Sequence, residues 1–159
     1  MGMFDWVDAS AFEFPFETLD RNLYQTKDFE RLMDTLVFNV DGTITRVYDT
    51  MEEVPDEERP YYGTPEWDIG GLHKMIGCMR TKETVTEPLA LPERETYHFY
   101  NSLKEDYKNT WVDVYADLEN HKVVQFRWET KRFENGAENI IARGVVYVNK
   151  KDTEDEASA

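Results

Sequence analysis

From Trp111 to Tyr147 apolar side chains recur at every second position, and short polar turns break the run twice. A period of two is the strand period, because successive side chains point to opposite faces of a sheet. WVDVYADL (Trp111 to Leu118) sets Val112, Val114, Ala116 and Leu118 against Trp111, Asp113, Tyr115 and Asp117. ENHK turns the chain. KVVQFRWETKRF (Lys122 to Phe133) alternates again, with Val124, Phe126 and Trp128 on one face. ENGAEN puts Asn135-Gly136 at the centre of a second turn, and IIARGVVYVNK follows with Gly144 read as a bulge. Three strands joined this way predict an antiparallel meander.

The upstream sequence is more broken. MGMFDWV reads as a short strand. AFEFPF (Ala11 to Phe16) alternates, with Phe12, Phe14 and Phe16 on one side and Pro15 marking an edge or strand end. TKDFERLMDTL (Thr26 to Leu36) places Phe29, Leu32, Met33 and Leu36 at helical spacing, which predicts a helix capped by Asp28. TLVFNVDGTITRVYDT predicts a hairpin with Asp41-Gly42 in a two-residue type I′ turn. Ile69 to Arg80 is ambiguous, because its three glycines weaken a helix and permit close backbone approach; Lys82 to Glu95 reads as a loop or short strand, and TYHFYNSL reads as a strand. The fold class expected is mainly β, with α+β as the alternative. It consists of an antiparallel sheet or meander, one or two short helices and a long acidic loop rich in Pro and Tyr. A length of 159 residues suits one domain, taken as residues 1–150, followed by a disordered acidic tail at 151–159.

Charge limits the choice of partner. The chain holds 33 acids against 18 Lys and Arg, a formal net charge of -15. Such a field repels nucleic acid and anionic membrane and attracts basic surfaces. The acids cluster, and the densest run surrounds VPDEERPYYGTPEWD (Val54 to Asp68). Three prolines interrupt regular structure there. The candidate binding residues are Asp49, Glu52, Glu53, Asp56, Glu57, Glu58 and Glu66, with Tyr61, Tyr62 and Trp67 as aromatic anchors. The expectation for this loop is rings packed inward on the sheet and acids turned to water.

Chemistry-bearing patterns are sparse. The histidines, His73, His98 and His121, stand apart from any second His or Cys at ligand spacing, and His121 in the ENHK turn is expected to be exposed. Asp113 and Asp117 share a strand face; like charges that close could raise one pKa for acid-base work, but a solvated sheet face is the expectation. Cys78 excludes an internal disulfide and sits among apolar neighbours as a buried, inert thiol. DTMEEVPDEE lacks the alternating ligands of a calcium loop. No catalytic residue, metal or cofactor is assigned. The start shows no basic n-region, Trp6 stands where a myristoylation signal needs Ser or Thr, and no long apolar run occurs, so the expected location is the cytoplasm.

MGMFD at the start, YQTKD at Tyr24 to Asp28 and VPDEERPYYGTPEW at Val54 to Trp67 together resemble a family of small phage and prophage proteins. Members open with MGMFD, follow with a Gln-Thr-Lys or Gln-Ser-Lys signature and carry an EERPYYG-like stretch. The resemblance covers about the first seventy residues. Some similar chains place zinc-knuckle cysteines after the opening strand; AFEFPF stands there in this chain, so no zinc is implied. What the resemblance implies is a phage origin, an accessory role and the host cytoplasm. Three functions are then in view. The leading one is a non-enzymatic accessory protein that binds and inhibits a host protein with a basic surface, such as a restriction or CRISPR nuclease, by mimicking nucleic acid without binding it. The second is a virion or assembly component that forms a homo-oligomer. The third is a carboxylate-dependent hydrolase.

Overall fold

The structure, a computed structural model, describes residues 3–19 and 23–148; the tail expected at 151–159 lies outside them. The strands are β1 (Asp5–Asp8), β2 (Leu23–Thr26), β3 (Thr35–Phe38), β4 (Ile44–Glu53), β5 (Met79–Pro88), β6 (Arg94–Ser102), β7 (Thr110–Glu119), β8 (Lys122–Glu134) and β9 (Ala137–Tyr147). They form one sheet in the order β5-β4-β3-β1-β2-β6-β7-β8-β9. The two short helices are α1 (Pro65–Ile69) and α2 (Leu72–Met75). The fold is therefore mainly β. The sheet is mixed, since β1 pairs β3 in parallel. The described residues divide into two compact units, one drawn from 1–47 and 87–148 and the other 48–86.

The meander forms as its alternation predicts. Asn120 and His121 both take positive φ (54° and 66°), and so do Asn135 and Gly136 (55° and 77°), the backbone of type I′ turns. Two bulges adjust the faces. Asp117 pairs Gln125 and Leu118 pairs Val123, so Val124 is the extra residue and Val123, not Val124, takes the buried place. The second bulge falls at Ile141, between the pairs Thr130–Ala142 and Lys131–Ile140, and not at Gly144. Gly144 has another duty: a Cβ there would lie 2.6 Å from the Trp128 ring, so the absent side chain makes room for the indole.

The core of the larger unit lies on one face of this sheet. Val7, Tyr24, Leu36, Phe38, Phe99, Val112, Val114 and Phe126 are all at most 2% exposed. Residues 9–19 supply its cover. AFEFPF is irregular, not a strand, yet its alternate rings pack as the pattern required. Phe12 lies 4.7 Å from Phe126, and Phe16 lies 5.3 Å from Trp128. The β3–β4 connection is one residue longer than the two-residue type I′ turn predicted. Gly42 N–H donates to Asn39 O, Asn39 N–H donates to Thr43 O, and Gly42 takes φ +89°. That is a three-residue loop with the glycine in the left-handed position. Its backbone docks on β8, where Val123 N–H donates to Gly42 O at 2.8 Å.

The helix predicted over Thr26–Leu36 does not form. β2 ends at Thr26, Arg31 and Met33 take positive φ, and β3 begins at Thr35. The cause is Asp5, which is 2% exposed. Its carboxylate accepts hydrogen bonds from the backbone N–H groups of Arg31 (2.8 Å), Leu32 (2.9 Å) and Asp34 (3.0 Å). Those donors cannot also serve a helix. Asp28 is no cap either; its carboxylate accepts from His98 N–H at 2.6 Å. Asp5→Ala would remove the shared acceptor of three backbone donors in a part-buried turn, each hydrogen bond to the carboxylate being worth roughly 1 kcal/mol or more net. The expected outcome is a loss of about 3 kcal/mol in urea unfolding, with Asp5→Asn intermediate. A loss within error of zero would remove Asp5 from this role.

Candidate functional site

The predicted binding residues all fall in the smaller unit, Tyr48–Thr86. Val54, 6% exposed, is its one buried side chain among the described residues. With so little burial, polar contacts hold the loop. Arg59 is the centre: its guanidinium donates to Val54 O (2.9 Å), Lys74 O (2.9 Å) and Glu53 Oε1 (3.1 Å), and pairs with Asp56. A planar fork of donors suits this bridging of two carbonyls and two carboxylates. Arg80 makes a second bridge, to Glu52 at 2.7 Å and Glu58 at 3.3 Å.

The acids are thus gathered but not equally free. Glu52, Glu53, Asp56 and Glu58 share two arginines of their own unit, which offset half of their charge. Asp49 accepts from Thr84 Oγ1 at 2.6 Å. Glu66, in the first turn of α1, is held below the usual Glu range by its own backbone N–H and by Thr64. Glu57 and Asp68 make no salt bridge among the described residues. The rings pack on one another: Tyr62 meets Trp67 edge-on at 5.4 Å, and Tyr61 meets His73 at 5.0 Å. The expectation of rings inside is corrected for Tyr62, which is 51% exposed.

The most exposed apolar residues here were not among the predicted site. Ile69 is 79% exposed, Leu72 72% and Met75 63%, on α1 and α2, either side of Gly70-Gly71. The signal was in IGGLHKMIGCM, which places apolar residues around a double glycine with no period that would bury them. Met51 and Met79 are half-exposed on the ribbon of β4 and β5, where Thr81 Oγ1 reaches Met51 Sδ.

A second polar cluster lies on the outward face of β6, β7 and β8 in the larger unit. Asp113, 8% exposed, has His98 Nε2 at 2.7 Å, Lys131 Nζ at 3.0 Å and the Trp111 indole N–H at 3.3 Å. The Tyr115 ring stacks on His98, and Arg127 lies over Tyr115. Asp117 takes two hydrogen bonds from Arg127 and one each from Gln125 and Thr96. Burial pushes both carboxyls up, but the hydrogen bonds outweigh it and leave both below the ordinary 3.8. The pair therefore lacks the one raised pKa that an acid-base couple needs. His121 is exposed, as expected, with Nδ1 2.9 Å from Leu91 O. Cys78, expected to be buried, is only half-buried.

Among the described residues no three His, Cys, Asp or Glu side chains gather as a metal site would require, and no helix is long and apolar enough to cross a membrane. The chain matches no family model, no curated protein and no solved structure.

Because Asp113 and Asp117 titrate lower when folded, the stability they add is complete above the ordinary 3.8 and is lost as the pH falls below it. Urea midpoints measured from about pH 5 to pH 2 should fall steeply in the native chain. The fall should be shallower in the variant carrying Asp113→Asn and Asp117→Asn. Parallel curves would show that neither carboxylate contributes this linkage.

Proposed function

We propose that this chain is a non-enzymatic binding protein that engages a partner protein through Tyr48–Thr86. The observation that carries the reading is the exposure of Ile69, Leu72 and Met75 in a unit that buries only Val54 among its described residues. Apolar side chains left in water at one end of a polar-clamped loop gain free energy when a partner covers them. The surrounding acids choose the partner. The unit carries Asp49, Glu52, Glu53, Asp56, Glu57, Glu58, Glu66, Asp68 and Glu83 against Arg59, Lys74, Arg80 and Lys82. That balance steers a basic protein toward the apolar residues.

The resemblance to phage and prophage proteins supplies a setting for this reading. The partner would be a host nucleic-acid-handling defence enzyme, a restriction or CRISPR nuclease, met in the host cytoplasm and inhibited. A groove built for phosphates offers Lys and Arg to the acids, and the protein walls around it offer apolar seats. Pairing of four acids with Arg59 and Arg80, which offsets half of their charge, puts more of the affinity on the apolar residues than charge mimicry alone would. The test is capture from bacterial lysate on the immobilised chain under rising salt. Ile69→Asp with Leu72→Asp should reduce retention about tenfold or more. Glu57→Gln, Asp68→Asn and Glu83→Gln together should keep the partner but release it at lower salt. Retention indifferent to the apolar pair would sink the proposal.

A second reading, a self-associating assembly component, has its own observation. β9 ends the sheet order, and Ile140, Val145 and Tyr147 along it are 43–52% exposed. An uncovered edge with apolar side chains is a template for pairing with another strand. On this reading sedimentation shows a salt-insensitive oligomer that Val145→Lys reduces to monomer. A native chain that sediments as monomer at all concentrations would remove it.

A further inference from the structure

The larger unit contains a cavity of about 630 Å³ that neither reading uses. Its size falls in the range of small-molecule sites, roughly 300–1,000 Å³. The apolar part of its wall is Phe16, Leu103, Trp128 and Ile141. The polar part is graded along one strand. Thr110 pairs Arg132 across β7 and β8, so Arg132 shares the core-facing side with the buried Thr110. Alternate residues of β8 on that side run Phe126 (0% exposed), Trp128 (9%), Thr130 (5%) and then the exposed Arg132. Ring, ring, hydroxyl and guanidinium follow one another from the core outward.

Three details distinguish this row from an ordinary strand end. First, Thr110 Oγ1 already donates to the carbonyls of Glu105 and Asp106, and Thr130 Oγ1 to that of Ala142. Each hydroxyl has one proton, already committed, so neither can donate to an occupant and Arg132 is the donor that this row offers. Second, Arg132 makes no salt bridge among the described residues, in a chain of net charge -15. The other cation of the wall, Lys104, faces Glu17 at 3.7 Å, which leaves Arg132 and Glu105 as the unpaired charges. Third, the β9 bulge leaves Ile141 without a cross-strand partner, 51% exposed, at the cavity wall. Bulges re-aim side chains beside binding sites.

We propose that this cavity binds a small amphipathic carboxylate, its apolar chain against Phe16, Leu103, Trp128 and Ile141 and its carboxylate on Arg132. One guanidinium fork matches one carboxylate. The strongly acidic chain, with Glu105 in the wall, disfavours a multiply charged anion such as a phosphate ester.

The probes are decanoate and the neutral decanol, titrated into the isotope-labelled full chain and followed by amide NMR. Decanoate should shift the signals of Trp128, Thr130, Ile141 and Ala142. Arg132→Gln should weaken decanoate about tenfold and leave decanol unchanged. Ile141→Asp should weaken both. Arg132 and Ile141 are exposed, and the same spectra report that each variant is folded. Shifts that are absent or confined to Ile69–Ile76 would overturn the proposal, as would decanoate binding indifferent to Arg132→Gln.

Discussion

The Asp5 carboxylate is almost wholly buried and makes no salt bridge among the described residues; three backbone N–H groups of residues 31–34 satisfy it instead. A buried carboxylate is costly unless hydrogen-bonded, and this one is matched by donors that the turn would otherwise leave without acceptors. Two further bonds, Trp6 N–H to Asp34 O and Met33 N–H to Phe4 O, fasten the same segment to β1. The connection from β2 therefore passes the start of β1, and β3 is delivered to the far side of β1 in parallel register. From there the β3–β4 hairpin reaches β8 through Gly42. That brings Phe38 within 5.9 Å of Phe126. Closure of the core face follows from where one acid sits.

This dependence explains what was legible in the sequence. The meander was, because its pairing is local: alternation fixes the faces, and Asn120-His121 and Asn135-Gly136 fix the turns. The helix predicted over Thr26–Leu36 failed because its apolar spacing is visible locally, whereas its competitor is a side chain more than twenty positions away. AFEFPF shows the converse. Its face was legible and its conformation was not, since rings held by a core need no ladder. The bulges at Val124 and Ile141 leave no mark in the residue types, so the exchange of Val124 for Val123 could not be read.

The candidate site was half legible for a similar reason. Clustered acids and aromatics are a compositional fact, and they did mark the smaller unit. Which acids remain free is a matter of geometry. Arg59 and Arg80 each take two, and nothing in VPDEERPYYG says that Arg59 turns back to carbonyls at both Val54 and Lys74. The three glycines of IGGLHKMIGCMR leave its conformation ambiguous, and the apolar residues around Gly70-Gly71 fit no period that would bury them, which is the signal of side chains with nothing in their own unit to cover them.

The two units are stabilised by different physics, and that difference bears on function. The larger one buries interlocking rings, whose hydrophobic free energy scales with the area removed from water. The smaller one orders its loop with a guanidinium clamp, three prolines and ring-on-ring contacts while its aliphatic side chains stay wet. Prolines and the clamp remove conformational freedom before any encounter, so a partner that covers Ile69, Leu72 and Met75 meets a surface already arranged. Ordering an interface loop is among the larger costs of association. A loop that meets this cost through polar contacts within itself keeps its apolar surface available for binding.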